Sequence, residues 1–365
     1  MKSSIGEALQ ISLFGESHGE AIGVLINGLP AGIPLDENYI NHFLDLRKPK
    51  GKISTSRKER DELHVVSGYF NGHTTGTPLC ILFENSNTHS KDYHNDKMRP
   101  SHADYTANEK YRGYQDYRGG GHFSGRLTAP LVAAGSIARH ILEKKGIVIG
   151  THIAKLQELQ DIPFPESEDV AVSVLQELNQ TYFPVCDVEV SKQMQERIET
   201  LAKTGDSTGG ILETMVLGMP TGVGEPFFSS LESVLAKLLF SIPAIKGVEF
   251  GLGFEFCNFN GSEVNDAFYM DQETVKTKTN YNGGINGGIS NGMPLHLKTV
   301  VKPTPSIFIE QETIDYQTKE NTTIQIEGRH DPAIVHRARV VVDSVVAIGI
   351  LDLCIQQFGP AWVGE

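Results

Sequence analysis

The chain has 365 residues, of which 39% are hydrophobic and 21% are charged, enough to bury a sizeable core in one large domain or two smaller ones. Its net charge of −13 argues against nucleic acid and anionic membranes as partners. No apolar run approaches the roughly 20 residues of a membrane span, and no secretory leader is visible, so we expect a cytoplasmic protein. The four cysteines are scattered without a CxxC pair, which indicates reduced structural thiols.

The first candidate for chemistry follows a predicted strand over residues 8–14 and precedes another over 21–26. Between them lies Gly15-Glu16-Ser17-His18-Gly19. The backbone positions a histidine held between glycines, and imidazole titrates near neutrality, so His18 is a candidate acid or base with Ser17 beside it. A structural histidine is the alternative.

A helix and a basic loop come next. Asp36 is the expected N-cap of the helix and Pro49 limits its extension. The segment 47–60 then carries seven Lys and Arg residues against one acid, which in an acidic protein indicates a small anionic ligand. A solvated charge run and an RNA-contacting loop remain alternatives. An antiparallel pair is expected over 63–70 and 78–83.

The segment 99–126 is the most distinctive part of the sequence. It combines two histidines, several Arg, Lys and Tyr residues and a triple glycine, with no sustained apolar period. Gly119 to Gly121 allow close backbone approach and positive φ, while Arg118 and Arg126 supply forked donors for phosphate or carboxylate. The sequence therefore predicts either a site loop or an ordinary solvated loop.

Helices and strands are expected through the second half of the chain. Thr128 is expected to cap a helix that could help bind an anion at its N-terminus. Asp331 has two possible roles: with Pro332 at the first helical position it could cap the last helix, or with His330 it could form a polar pair that reaches a site, and both roles could hold at once. A helix over 191–203 should end at Gly205. A capping box at Ser229 begins a helix to Ile242, and a strand is expected over 248–256.

Two further segments suit a ligand. Residues 282–292 are glycine-rich, and Lys302-Pro303-Thr304-Pro305-Ser306 combines a cation with hydroxyls, as a phosphate site would. A weak echo between residues 76–79 (GTPL) and 292–295 (GMPL) hints at duplication, with chance as the competing explanation.

Taken together, GESHG at 15–19, RPSHADYT at 99–106, RGGGHFSGR at 118–126 and GRHDP at 328–332 closely resemble the chorismate synthase family, in its monofunctional bacterial form. The resemblance covers essentially the whole chain. It implies one α+β domain over residues 1–365, a β-α-β sandwich with an internal pseudo-twofold duplication, assembled as a homotetramer.

The resemblance also implies a reaction, the 1,4-anti elimination of phosphate from 5-enolpyruvylshikimate 3-phosphate to give chorismate. The family requires reduced FMN without net redox change, and NADP is also associated with it. No inserted flavin-reductase segment is visible, so an external flavin reductant is expected.

By the same resemblance, His18 protonates the departing phosphate, His102 protonates or stabilises reduced flavin, and Asp331 assists the flavin as base. The implied substrate residues are Ser17, Arg47, Lys48, Arg57, Arg126 and Arg329. The implied FMN residues are Ser124, Gly125, Arg126, Gly287, Gly288, Lys302, Thr304, Ser306 and Arg329. No metal is implied.

The residues themselves leave three other functions to consider. Glycines 119, 121 and 125 could belong to a dinucleotide fingerprint, but no apolar strand precedes them. His18, His102, Asp104, His330 and Asp331 could ligate the metal of a phosphohydrolase, although their spacing fits no familiar motif. An RNA-binding protein using residues 47–60 is opposed by the net charge and by the lack of stacking aromatics there.

Overall fold

Two five-stranded antiparallel sheets with helices between them form the frame of the computed structural model, which describes residues 3–55, 61–86, 96–326 and 330–364. Its strands are β1 (Ser4–Ile5), β2 (Gln10–Gly15), β3 (Ala21–Asn27), β4 (Ala31–Pro34), β5 (His64–Ser67), β6 (Tyr69–Phe70), β7 (His73–Thr75), β8 (Leu79–Glu84), β9 (Val148–Leu156), β10 (Leu159–Gln160), β11 (Gly210–Leu217), β12 (Ile245–Phe250), β13 (Phe268–Asp271), β14 (Thr274–Thr277), β15 (Ile285–Asn286), β16 (Ile289–Ser290), β17 (Leu295–Val301), β18 (Gln311–Asp315) and β19 (Glu320–Ile324). Its helices are α1 (Glu37–Arg47), α2 (Asp104–Tyr111), α3 (Thr128–Lys144), α4 (Glu168–Leu178), α5 (Val188–Thr204), α6 (Leu231–Leu239), α7 (Gly261–Val264), α8 (Val335–Phe358) and α9 (Ala361–Gly364).

Helices α3 and α8 lie between the two sheets and pack against each other. The first sheet has the strand order β1-β2-β3-β8-β5 and contacts α3, and the second has the order β10-β9-β11-β17-β12 and contacts α8. Apolar residues cover almost the whole circumference of α8, as a helix enclosed on all sides requires. The layers are thus sheet, helices and sheet, which confirms the expected α+β sandwich.

The two halves of the chain repeat one order of elements. Strands β2 and β3, helix α1, strands β5 and β8 and helix α3 follow one another in the first half. The second half gives β9 and β11, α6, β12 and β17, then α8, with each strand at the matching place in its sheet. The echoed GTPL and GMPL segments lead into β8 and β17, which hold equivalent positions. Internal duplication therefore accounts for the echo.

Several local predictions are confirmed. Asp36 accepts a hydrogen bond from the Tyr39 N–H at 3.0 Å as the N-cap of α1. Gly205 ends α5 in the left-handed conformation, with φ of 76°. The expected antiparallel pair is formed by β5 and β8. None of the helices in the described ranges is both long and apolar enough to cross a membrane.

The expected helix caps need correction. Thr128 is the first residue of α3 and not its cap, and its hydroxyl donates to the Gly125 carbonyl. Ser230, one residue after the predicted Ser229, accepts from Ser233 N–H and caps α6. Asp331 does not cap α8, because the helix begins four residues later, at Val335. The Asp331 carboxylate is therefore not used as a helix cap.

The strand expected over 248–256 is also wrong in its second half. Strand β12 ends at Phe250 because Gly251 and Gly253 have φ of +56° and +54°, and Gly251 Cα lies against the Tyr281 carbonyl, where a Cβ would clash. A 3-10 helix, Gly253–Asn258, follows and leaves Phe254 82% exposed. The alternating phenylalanines therefore do not all lie on one sheet face.

Candidate active site

A cleft of about 1090 Å³ opens where the C-terminal ends of α1 and α6 meet the N-terminal ends of α3 and α8. Eight Lys or Arg and two Asp residues are found among the described residues that line it. The cations are Arg47, Lys48, Lys110, Arg126, Lys237, Lys246, Lys302 and Arg337, and the acids are Asp61 and Asp331. In a chain with net charge −13, this concentration of positive charge favours an anionic ligand.

Asp61 joins two of the arginines inside the cleft. One carboxylate oxygen accepts from Arg47 Nη2 at 2.9 Å, and the other accepts from Arg126 Nη1. All three side chains are buried, with the Asp61 side chain fully enclosed. Burial opposes ionisation of Asp61, but the two guanidiniums outweigh it and lower its pKa. Among the described residues, Asp61 is therefore the carboxylate that links Arg47 to Arg126.

The triple glycine forms the turn between the two predicted catalytic histidines. A Cβ on Gly119, whose φ is +59°, would lie 2.1 Å from Cε1 of His18, and a Cβ on Gly120 would lie 3.7 Å from Cε1 of His102. His18 is 7% exposed and shares a hydrogen bond with Ser17 Oγ at its Nδ1, at 3.0 Å. Gly119 lines the cleft, so His18 lies directly behind the cleft wall. Because Gly119 and Gly120 lack side chains, the imidazole rings of His18 and His102 can lie close to the backbone of this turn.

His102 lines the cleft and is oriented by a carboxylate. Its Nδ1 donates to Asp104 Oδ1 at 2.7 Å, and Arg99 binds the same carboxylate through two nitrogens at 2.7 and 2.8 Å. Burial opposes ionisation of Asp104, but these hydrogen bonds outweigh it and hold its pKa below the usual range. Nε2 is therefore the nitrogen of His102 that can exchange a proton with a ligand.

Asp331 is fixed at the cleft edge by two neighbours. Its Oδ1 accepts from the Thr55 N–H at 2.9 Å and its Oδ2 accepts from Arg337 Nη1 at 2.7 Å. Arg337 also donates from Nε to the Arg47 carbonyl at 2.7 Å, so it ties α8 to the end of α1. Asp331 thus belongs to the cleft, the second of the two roles open to it in the sequence.

Lys302, Thr304 and Ser306 also line the cleft. Lys302 Nζ donates to the Ser101 carbonyl at 2.6 Å, and partial burial, with Lys246 nearby, lowers its pKa. Two buried polar atoms of the cleft have no hydrogen-bond partner among the described residues, Thr304 Oγ1 and Arg47 Nε. Because buried polar atoms normally have partners, both atoms mark places for a ligand.

The structure thus brings most of the predicted site residues into one cleft. Those that line it are Arg47, Lys48, His102, Ser124, Gly125, Arg126, Lys302, Thr304, Ser306 and Asp331. Ser17 and His18 lie behind Gly119. Gly287 and Gly288 do not line it; Gly288 packs against Ser230 at the start of α6. Arg57 and Arg329 lie outside the described residues.

Asp61 and Arg337 were not identified as site residues from the sequence, and Asp104 was named only as a possible metal ligand. Asp61 directly follows the basic segment 47–60. An acidic residue at the end of such a segment could have been recognised as a partner for one of its arginines. Asp104 lies two residues after His102, a spacing that allows a carboxylate to hold the ring. Arg337 had no comparable signal, because only the fold brings the start of α8 to Arg47.

Comparison with known proteins gives one consistent result. The family model described as chorismate synthase matches residues 9–355. The chain is 44% identical over 359 residues to a chorismate synthase of Dehalococcoides mccartyi, covering 98% of this chain and 97% of the relative. It is 45% identical over 350 residues to one from Pyrococcus abyssi, covering 95% and 96%. A crystal structure of chorismate synthase superposes with a TM-score of 0.75 at 26% identity, covering 97% and 94% of the two chains.

Proposed function

Because the chain belongs to the chorismate synthase family of lyases, we propose that it eliminates phosphate from 5-enolpyruvylshikimate 3-phosphate to give chorismate, with reduced FMN and without net redox change. The observation that carries this proposal is the cationic cleft, whose described lining residues include eight Lys or Arg and two Asp. A substrate with a phosphate and carboxylates complements this excess of positive side chains. Lys48, Arg57 and Arg329 are proposed as further substrate contacts.

The donors of the cleft fit FMN. Lys302 and Lys246 offer cations for a phosphate, and the hydroxyl of Thr304 is buried there without a partner among the described residues. Apolar side chains at the end of α6, such as Leu238 and Ile242, offer a surface for a flat ring. We propose that Lys302, Thr304 and Ser306 hold the phosphate, with Ser124, Gly125 and Arg329 as further contacts. When bound, reduced FMN supplies the electron-rich group that helps remove a weakly acidic ring proton.

The protein's own residues donate protons and stabilise charge in the proposed reaction. We propose that His18 donates a proton to the departing phosphate, a role for which its Ser17 hydrogen bond fixes the ring. Asp104 holds His102 so that Nε2 can stabilise the reduced cofactor. Asp331, fixed by Thr55 and Arg337, assists the flavin in its role as base.

An anaerobic assay tests this function. Purified protein is given the enolpyruvyl substrate with reduced FMN, with oxidised FMN or with no flavin, and phosphate and chorismate absorbance are followed. We expect both products only with reduced FMN. Phosphate release that needs a divalent metal and no flavin would instead support the metal phosphohydrolase and contradict the proposal.

We further propose a homotetramer in the cytoplasm that receives reduced flavin from an external reductant. Large apolar side chains are exposed between residues 227 and 270, among them Phe227, Phe228 and Phe268 at 85%, 92% and 61%, as on an association surface. The four cysteines are unpaired, as expected in a reducing compartment. Light scattering should give a mass of about 160 kDa, four times the 40.0 kDa of the chain; a mass of 40.0 kDa would contradict the assembly.

A further inference from the structure

The loop of residues 48–55, here called the entrance loop, leads from α1 toward the rest of the basic segment. Its first residue, Lys48, and its last, Thr55, line the cleft. The Thr55 N–H donates to Asp331, and the Lys50 N–H donates to the Tyr182 hydroxyl at 2.7 Å. The loop is therefore bound to the body of the protein near both its ends.

A buried histidine outside the proposed chemistry completes these attachments. His336, the second residue of α8, is fully buried, and its Nε2 shares a hydrogen bond of 2.8 Å with Ser54 Oγ. Ser54 Oγ also shares a hydrogen bond of 3.0 Å with the Tyr182 hydroxyl. The rings of Tyr182 and Phe183 pack on the imidazole with centroids 5.2 and 5.6 Å away. Ser54 thus lies between two fixed side chains.

The imidazole is neutral in this position. Burial, reinforced by the nearby guanidiniums of Arg337 and Arg339, lowers the pKa of His336 to about 3. Its other nitrogen, Nδ1, has no hydrogen-bond partner among the described residues. The bond between Nε2 and Ser54 Oγ is thus the one hydrogen bond of this buried ring among the described residues. Through it, His336 acts on the entrance loop.

We propose that His336, with Tyr182, is a positioning pair that fixes the entrance loop through Ser54, and that this holds the loop's cleft-lining residues in the geometry that binds the anionic substrate. The pair touches neither substrate nor cofactor. It acts on substrate affinity by ordering the loop before binding, which reduces the entropy that binding must overcome. This inference rests on the proposed function, because it concerns the same substrate.

Two variants remove the attachment in different ways. His336→Phe keeps an aromatic ring of similar size without the bond to Ser54, and Tyr182→Phe removes one hydroxyl and is the variant that disturbs the fold least. His336→Gln restores a polar group near the position of Nε2 and is the rescue variant. His42→Phe is the matched control, because His42 on α1 is half-buried and donates from Nε2 to the Asn179 carbonyl rather than to a residue of the entrance loop.

Two readouts are taken on each full-length variant: the rate of tryptic cleavage after Lys50 and Lys52, inside the entrance loop, and kcat and KM with reduced FMN. We expect cleavage and KM to rise about fivefold in His336→Phe and Tyr182→Phe, the equivalent of about one net hydrogen bond. We expect kcat and FMN affinity to stay within about twofold in these variants, and His336→Gln and His42→Phe to resemble the wild type. A purely structural role would not divide KM from kcat in this way.

Other outcomes overturn the inference. Unchanged cleavage in both phenylalanine variants would show that the pair does not hold the loop. Faster cleavage with unchanged KM, or a fall in kcat as large as that in kcat/KM, would show that it does not position substrate. Failure of the proposed function is separate, because it would appear first as a wild-type protein that forms no chorismate.

Discussion

At the scale of single residues, Asp61 is the carboxylate that balances part of the charge of two buried arginines in the cleft. It is the common partner of Arg47 and Arg126, and all three are buried. Removing one partner of a buried ionic cluster leaves charge without compensation, which costs about 3–5 kcal/mol. We therefore expect Asp61→Asn to lower the free energy of unfolding by about 3 kcal/mol in urea titrations at pH 7.

An anionic ligand should partly restore the stability of Asp61→Asn. The substrate would stabilise the variant more than the wild type, because it replaces the lost carboxylate between the guanidiniums. Glu158→Gln serves as the control, since Glu158 pairs with Arg197 at the exposed surface, where solvent screening leaves such pairs with little effect on stability. A variant as stable as the wild type, or one that gains nothing extra from ligand, would contradict this account of Asp61.

From residue types, the sequence predicted correctly that certain side chains belong to the site. It did not predict which other side chains they contact. His102 and Arg126 were expected in the site, and both line the cleft. Their carboxylate partners, Asp104 and Asp61, were missed as partners, because a hydrogen bond depends on the path of the backbone between the two residues. The glycines were expected to approach a ligand, yet Gly119 and Gly120 first approach the histidines.

At the scale of elements, one strand of the second sheet carries a buried charge. His152 on β9 is bonded at both ring nitrogens, to Asp161 at 2.6 Å and to Glu213 on β11 at 2.7 Å. Burial opposes its charged form, but these bonds and the nearby Cys186 outweigh it and raise the pKa of His152 to about 11. His152, Asp161 and Cys186 also lie close enough to hold a metal, but an imidazolium that donates at both nitrogens has no lone pair to offer.

The raised pKa predicts the pH dependence of stability. The folded-state pKa of about 11 exceeds the ordinary value of 6.5. The contribution of His152 to the free energy of unfolding is therefore fully present below about pH 6.5 and is lost as pH rises toward 11. The loss is at most ~1.4 kcal/mol per pH unit. Unfolding in urea at pH 6, 7.5 and 9 should therefore show a steeper decline for the wild type than for His152→Gln. Equal slopes would contradict the buried imidazolium.

Local signals in the sequence predicted elements wherever backbone chemistry determines them. Asp36 and Gly205 mark the ends of helices as expected, since a cap and a left-handed residue act within one turn. The strand expected through Phe254 failed, because alternation alone does not reveal the positive φ of Gly251 and Gly253. Cap positions were displaced by one residue where neighbouring serines offer the same hydroxyl, as at Ser229 and Ser230.

At the scale of the whole molecule, the duplicated sandwich explains how distant segments meet. Helices α3 and α8 occupy equivalent places in the two halves, and their N-terminal ends both border the cleft. The segments around Arg126 and Asp331 therefore converge although about 200 residues separate them. A four-residue echo was the one trace of this symmetry in the sequence, and it could not place the cleft. Packing of α3 on α8 is what joins the two half-sites.

The proposed function requires that this one cleft carries a phosphate elimination in which the flavin is needed but not consumed. A multiple-turnover experiment tests this requirement directly: protein with reduced FMN is mixed anaerobically with excess substrate, while flavin absorbance, chorismate and phosphate are measured on the same sample. We predict chorismate and phosphate in equal amounts, over many turnovers per flavin, with the flavin still reduced at the end. Phosphate without chorismate, or one flavin oxidised for each product formed, would contradict the account.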